Sequence, residues 1–207
     1  MRFIQVWSYS CANYLTAQLK ESHEKRRVYY YGFQVFIGEL VKIILILLLS
    51  LLLGMLRPVS VILTVFVIVR TAAGGYHMDT QAKCLVVSLA LFLIPGAVVK
   101  YSHIYWSFGS VASFITVVAI ICIIAFIKWI PSDTPNRPIT KLEEIKKFRI
   151  KSLIYIAFFL CLGCITLLNN LYLYSLSIAF GLLVEIFTVT PAAYCFFDWV
   201  SGKAAQR

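Results

Sequence analysis

Long apolar runs, nearly free of charge, constrain this chain first. Between residues 32 and 53 the only formal charges are Glu39 and Lys42, and further apolar runs follow at 59–69, 85–99, 104–129, 152–168 and 171–190. A helix needs about 20 apolar residues to cross the hydrocarbon core. In lipid, every backbone polar group must be satisfied within the spanning structure itself. The runs lack the alternation of barrel strands, so they read as helices. The 59–69 run is short, and to cross it must extend through Ala72 and Ala73 or tilt. Of the 207 residues only 14% are charged, too few to cover a soluble surface, which usually carries about a quarter. The expected fold is all-α: a polytopic membrane protein with six transmembrane helices and an N-terminal amphipathic interfacial helix. The expected organisation is a single membrane-embedded domain over residues 1–207.

The polar segments set the orientation. At the N-terminus Ile4, Trp7, Cys11, Leu15 and Leu19 recur at helical spacing and are followed by Lys20, Lys25, Arg26 and Arg27. This reads as an interfacial segment over 1–31. Gln5, Ser8, Ser10 and Asn13 interrupt it, which argues against a cleaved signal peptide. The loop PSDTPNRP at 131–138 cannot lie within a helix, and the charged stretch 141–151 reads as a short cytoplasmic helix feeding the fifth span. Every lysine and arginine except Lys42, Arg57 and Lys100 falls in the N-terminal segment, in 70–83, in 128–151 or in the tail. Basic residues favour the cytoplasmic side, so both termini and the 70–84 segment are expected there, next to anionic membrane lipid. The net charge of +10 is divided among these short segments, a poor footprint for nucleic acid.

Arg70, Gly74, Gly75, His77 and Cys84 crowd one membrane boundary. A thiol becomes a nucleophile when a base or a positive field favours its thiolate, and histidine supplies a base near neutral pH. In one continuous helix His77 and Cys84 would be separated by about 10.5 Å of rise, too far to pair. The backbone between them is therefore expected to break, with Gly74 and Gly75 supplying the reversal. Arg70 reads either as an oxyanion or carboxylate ligand or as a topology anchor. Asp79 either orients His77 or is solvated. Gln34, near the cytoplasmic end of the first span, is a candidate amide donor. Glu39 and Lys42, three apart, read as a pair, and Glu185 in the sixth span calls for a partner. The Cys161–Cys164 spacing lies inside a span and lacks the context of a redox motif. Three histidines make a poor metal set, and no phosphate-binding loop is present, so neither a metal nor a cofactor is expected.

The segment RTAAGGYHMDTQAKC over 70–84, together with the proline-rich loop after the fourth span, resembles the accessory gene regulator B (AgrB) family. The likeness extends over nearly the whole chain. It implies a quorum-sensing cysteine endopeptidase that cuts an AgrD-like propeptide through a thioester acyl-enzyme, leading to a cyclic thiolactone or lactone. By that resemblance Cys84 is the nucleophile and His77 the general base, with Gln34, Arg70 and Gly75 supporting activity. Family precursors tend to carry an acidic tail, for which the basic groups among Lys141, Lys146, Lys147, Arg149 and Lys151 are a docking site. A homodimer is one arrangement the sequence allows. Two rival classes, a small transporter lined by Glu39, Lys42 and Glu185 and a scaffold without chemistry, predict that Cys84 is dispensable.

Overall fold

The computed structural model describes residues 2–76, 78, 80–132 and 142–200. His77, Asp79, Lys141 and the 133–140 part of the proline loop lie outside the described residues. Among the described residues the chain forms eight α-helices: α1 (Arg2–Leu19), α2 (His23–Leu52), α3 (Leu56–Ala73), α4 (Gln81–Ser102), α5 (Phe108–Lys128), α6 (Leu142–Leu168), α7 (Tyr172–Val189) and α8 (Pro191–Val200). Six of these, α2 to α7, are long and apolar enough to cross a membrane. The chain is thus an all-helical, multi-pass membrane protein. The short second run does extend through Ala72 and Ala73, as a crossing requires.

Two spans begin earlier than hydropathy suggests. Helix α2 starts at His23 rather than near 32, so Lys25, Arg26 and Arg27 lie on its first turns. Its 30 residues amount to about 45 Å at 1.5 Å per residue, and the excess over the hydrocarbon core carries those cations. The charged 142–151 stretch is likewise the opening of α6, one unbroken helix to Leu168. Helical backbone bonding continues across the polarity change because nothing in either stretch breaks it. Helix α8 follows α7 directly. Its signal was present in the sequence: Thr190 accepts a hydrogen bond from Ala193 N at 3.3 Å, and Pro191 occupies the first helical position, a common start for a helix.

Helix α1 packs on α2. Ile4, Ser8 and Ala12 are buried, whereas Trp7 and Leu19 are exposed. Small residues one turn apart allow close helix approach, and the Ser8 hydroxyl satisfies itself on Ile4 O at 2.6 Å. Arg26 of α2 lies over the Tyr9 ring, 5.7 Å from its centroid.

Helix α7 is the axis of the bundle. Of its apolar stretch 67% is buried, against 17% for α2, so α7 meets protein on nearly every side and α2 mostly does not. Ser175, Ser177, Ala179 and Gly181 keep it slender. A Cβ on Gly181 would lie 2.7 Å from Val65 Cβ and 3.0 Å from Ile62 O, so α3 touches α7 almost backbone to backbone. The Thr166 and Ser175 hydroxyls join α6 to α7 at 2.9 Å, an interhelical hydrogen bond of the kind that suits lipid. Leu40, Ile44 and Leu48 on α2 point outward, where lipid rather than water is the solvent. At the far end of α2, Lys100 Nζ donates to Leu53 O at 3.0 Å and closes that helix terminus.

Gly181→Ala is expected to lower the melting temperature in detergent, since overpacking of this kind costs about 1–3 kcal/mol. Gly109→Ala, whose Cβ meets open space, serves as control and should be neutral or stabilising by up to ~1 kcal/mol.

Candidate active site

Helix α3 ends where its sequence says it must. Gly74 and Gly75 adopt φ of +78° and +128°, values that a residue with a Cβ rarely takes. Gly74 N still reaches Arg70 O at 3.1 Å, and Ser132 N donates to Ala73 O at 2.8 Å across a single parallel bridge. A Cβ on Gly74 would come within 2.2 Å of Ser132 O, and one on Gly75 within 2.3 Å of Arg70 Nη1. Space and torsion both demand glycine at these two positions. Helix α4 then restarts at Gln81, with Thr80 as its cap, accepting from Lys83 N at 3.4 Å. The expected break between positions 77 and 84 is present.

Arg70, in the last turn of α3, ties this break to α7. Its Nη1 donates to Thr188 Oγ1 at 2.7 Å and lies 3.8 Å from Glu185 Oε2, while Nη2 donates to the Tyr76 carbonyl. Glu185 is fully buried, and among the described residues its Oε1 has no hydrogen-bond partner. Thr188 donates to Glu185 O at 2.9 Å. Arg70 is therefore the partner that Glu185 called for, and it acts as an internal clamp, its guanidinium resting 5.5 Å from the Phe66 ring centroid. Tyr76 is held further by its N–H to Thr188 O at 3.2 Å, by its hydroxyl to Asp198 Oδ1 at 2.9 Å, and by a stacked Phe197. Asp198 and Phe197 belong to α8, the helix that hydropathy passed over.

Cys84 is the fourth residue of α4 and is half-buried. Its sulfur faces α2, where Lys42 Nζ lies 3.1 Å from Sγ and 2.5 Å from Glu39 Oε1. The Glu39–Lys42 pair was legible from its spacing. The cysteine that shares the ammonium was not, because it comes from another helix. Helix α2 approaches α4 at Gly38, where a Cβ would stand 3.1 Å from Gln81 Nε2, and that amide donates to Gln34 O at 3.1 Å. Gln34 thus takes part through its backbone carbonyl, as a contact between α2 and α4.

These groups open on one cavity of about 320 Å³, with Cys84, Lys42, Glu39, Arg70 and Tyr76 among its walls. Its floor is apolar, formed by Ile46, Leu63, Phe66, Leu91 and Phe92. Tyr76 and Met78, the chain neighbours of His77, both line it. The structure therefore brings Cys84 and Arg70 to one cavity and packs Gly75 against Arg70. The cavity is a largely apolar chamber with a thiol and two cations among its walls, which can hold a mainly apolar ligand beside a nucleophile.

Sequence comparisons agree in extent with this architecture. A family model described as Accessory gene regulator B matches residues 8–189, from α1 to the end of α7. The chain is 28% identical over 181 residues to accessory gene regulator protein B of Staphylococcus lugdunensis, covering 87% of this chain and 90% of that protein. It is 27% identical over 188 residues to an AgrB-like protein of Clostridium perfringens, with 86% and 87% covered. To protein FsrB of Enterococcus faecalis it is 26% identical over 168 residues, with 78% and 63% covered. No solved structure matches the chain.

Removing one member of a buried pair costs about 3–5 kcal/mol, because the other is left uncompensated. Arg70→Leu and Glu185→Leu are each expected to lower the melting temperature in detergent. The double variant should be more stable than the sum of the single losses predicts, giving a coupling of about 1–3 kcal/mol in a double-mutant cycle. Strict additivity would mean that the two side chains do not interact.

Proposed function

The chain belongs to the accessory gene regulator B family, and from that premise we propose that it is a membrane cysteine endopeptidase that cuts an AgrD-like propeptide in quorum sensing. Cys84 is the nucleophile and His77 the general base. His77 takes the thiol proton as Sγ attacks the scissile carbonyl carbon. Collapse of the tetrahedral oxyanion breaks the C–N bond, the proton passes to the leaving amine, and the C-terminal fragment departs. The remainder stays on Sγ as a thioester. A thiol or hydroxyl within the same precursor then attacks that thioester and closes a thiolactone or lactone, its proton passing to His77 as Cys84 Sγ departs as the thiolate.

The observation that carries this reading is the position of Cys84, at the start of a helix and on the wall of a largely apolar cavity with Lys42 and Arg70. An apolar wall disfavours water while an internal nucleophile, already tethered, attacks the thioester. Arg70 and Gly75 serve as positioning residues. They clamp the backbone at Tyr76, the residue before His77 in the sequence. Gln34 supports the site through the α2–α4 contact that carries Cys84. The active end faces the cytoplasm, where the basic opening turns of α2 and α6 meet anionic headgroups. Helix α1, with Phe3, Trp7 and Tyr14 exposed, lies in the interface beside them.

Co-expression with the precursor encoded beside the gene, followed by mass spectrometry, tests the chemistry. Cys84→Ala should abolish release of the C-terminal fragment, a loss of at least ~10³-fold, and His77→Ala should slow it by about 10²–10⁴-fold, both at normal membrane levels. Cutting at wild-type rate by Cys84→Ala would end the peptidase reading.

The acidic tail of the precursor docks on the exposed first turns of α6, where Lys146, Lys147, Arg149 and Lys151 stand. Reversing the charge of Lys146 and Lys147 should raise the apparent KM on the order of tenfold at low ionic strength, and the effect should shrink as salt shortens the Debye length. A KM indifferent to both charge and salt would refute this docking.

A further inference from the structure

We propose that Lys42 is a catalytic cation, whose ammonium holds the Cys84 thiolate both as the attacking nucleophile and as the group expelled from the thioester. The proposal rests on the reading of Cys84 as nucleophile, and it adds a residue to which neither sequence pattern nor resemblance assigned a role in the chemistry.

The geometry is specific. An ammonium has donors and no acceptor, so the 3.1 Å contact between Nζ and Sγ is an N–H directed at sulfur. The Lys42 side chain is 12% exposed, whereas that of its partner Glu39 is 51% exposed. A lysine that served only to neutralise Glu39 would follow it outward to the headgroups, as long basic side chains do. Lys42 instead turns inward to α4. The charged and titratable groups lining the same cavity are Glu39 and Lys42 from α2, Arg70 from α3 and Tyr76 from the break. Behind them stand Glu185 of α7, next to Arg70, and Asp198 of α8, bonded to Tyr76. The Arg70 guanidinium is committed to Thr188, Glu185 and the Tyr76 carbonyl. Among the described residues Lys42 is therefore the cation that touches sulfur.

The chemistry has two moments at which sulfur carries the charge. When the C–S bond forms, the thiolate gives its electron pair to the carbonyl carbon. When the internal thiol or hydroxyl displaces it, that pair returns to sulfur. A fixed positive charge inside a low-dielectric cavity favours the thiolate at both moments, and a better leaving thiolate speeds the exchange. Lys42 exchanges no proton in this scheme. Its contribution is charge at a fixed place, so arginine should replace it better than any neutral side chain.

The test uses the full chain in native membranes and reads the alkylation rate of each cysteine by iodoacetamide, resolved by peptide mass spectrometry. Cys11 of α1 and Cys195 of α8 lie outside the six spanning helices and serve as references for an intact fold. Lys42→Met and Lys42→Gln should each slow alkylation of Cys84 by about tenfold with the references unchanged, while Lys42→Arg should stay within about threefold of wild type. Cutting of the co-expressed precursor should fall in the same order. Equal Cys84 alkylation in wild type and in whichever neutral variant keeps the reference pattern would overturn the proposal. The two neutral variants and the arginine variant guard against misfolding of any one. A precursor still cut by Cys84→Ala would instead remove the peptidase reading, and the alkylation comparison would still decide whether Lys42 holds the thiolate.

Discussion

A carboxylate inside a membrane protein cannot be left to water, and Glu185 is buried on every side. The guanidinium of Arg70 answers it from α3, and the same guanidinium reaches on to Thr188 and to the Tyr76 carbonyl. One ion pair therefore joins the end of α3, the last turns of α7 and the chain reversal between α3 and α4. Gly75 belongs to the same constraint, because any side chain there would occupy the space of the Arg70 Nη1 atom. The reversal is held by what surrounds it: Ser132 on one flank, α7 on another, and the aromatic face of α8 over Tyr76.

The second pair, Glu39 and Lys42, obeys the same rule by different means. It forms within one helix, where spacing alone brings the charges together, and this leaves the ammonium a remaining donor to direct elsewhere. The α2–α4 contact at Gly38 and Gln81 brings Cys84 within its reach. Charges that a lipid environment would otherwise penalise are thus paired locally and aimed at one cavity. The transporter reading treated these same charges as the lining of a path. Glu39 and Lys42 pair with each other beside a thiol, whereas Glu185 pairs with Arg70.

A membrane boundary suits the proposed chemistry. The precursor can reach it from the headgroup layer, with its charged tail on the opening turns of α6, while its reacting carbonyl enters an apolar chamber. A thioester formed there retains the energy of the cut bond, and an attacking group on the same chain is always close. The close packing around α7 is what keeps such a chamber shaped in a chain of this size, because small residues at Gly181 and Ser175 bring three helices onto one axis.

The sequence by itself determined the number and nature of the spans, a break in the helix between positions 77 and 84 with Gly74 and Gly75 to supply the reversal, and the crowding of Arg70, His77 and Cys84 at one boundary. All of these are local: hydropathy acts over about 20 residues, and glycine torsions over one. The Glu39–Lys42 pair was legible for the same reason. Tertiary structure alone decided that Glu185 pairs with Arg70, that α8 covers Tyr76, that α1 packs through Ile4, Ser8 and Ala12, and that Lys42 faces Cys84. Lys42 and Cys84 stand 42 residues apart, Arg70 and Thr188 118 apart. No local pattern relates such positions. Their meeting depends on the register of one helix against another, which is set by where small residues let backbones approach and where buried charges must find each other.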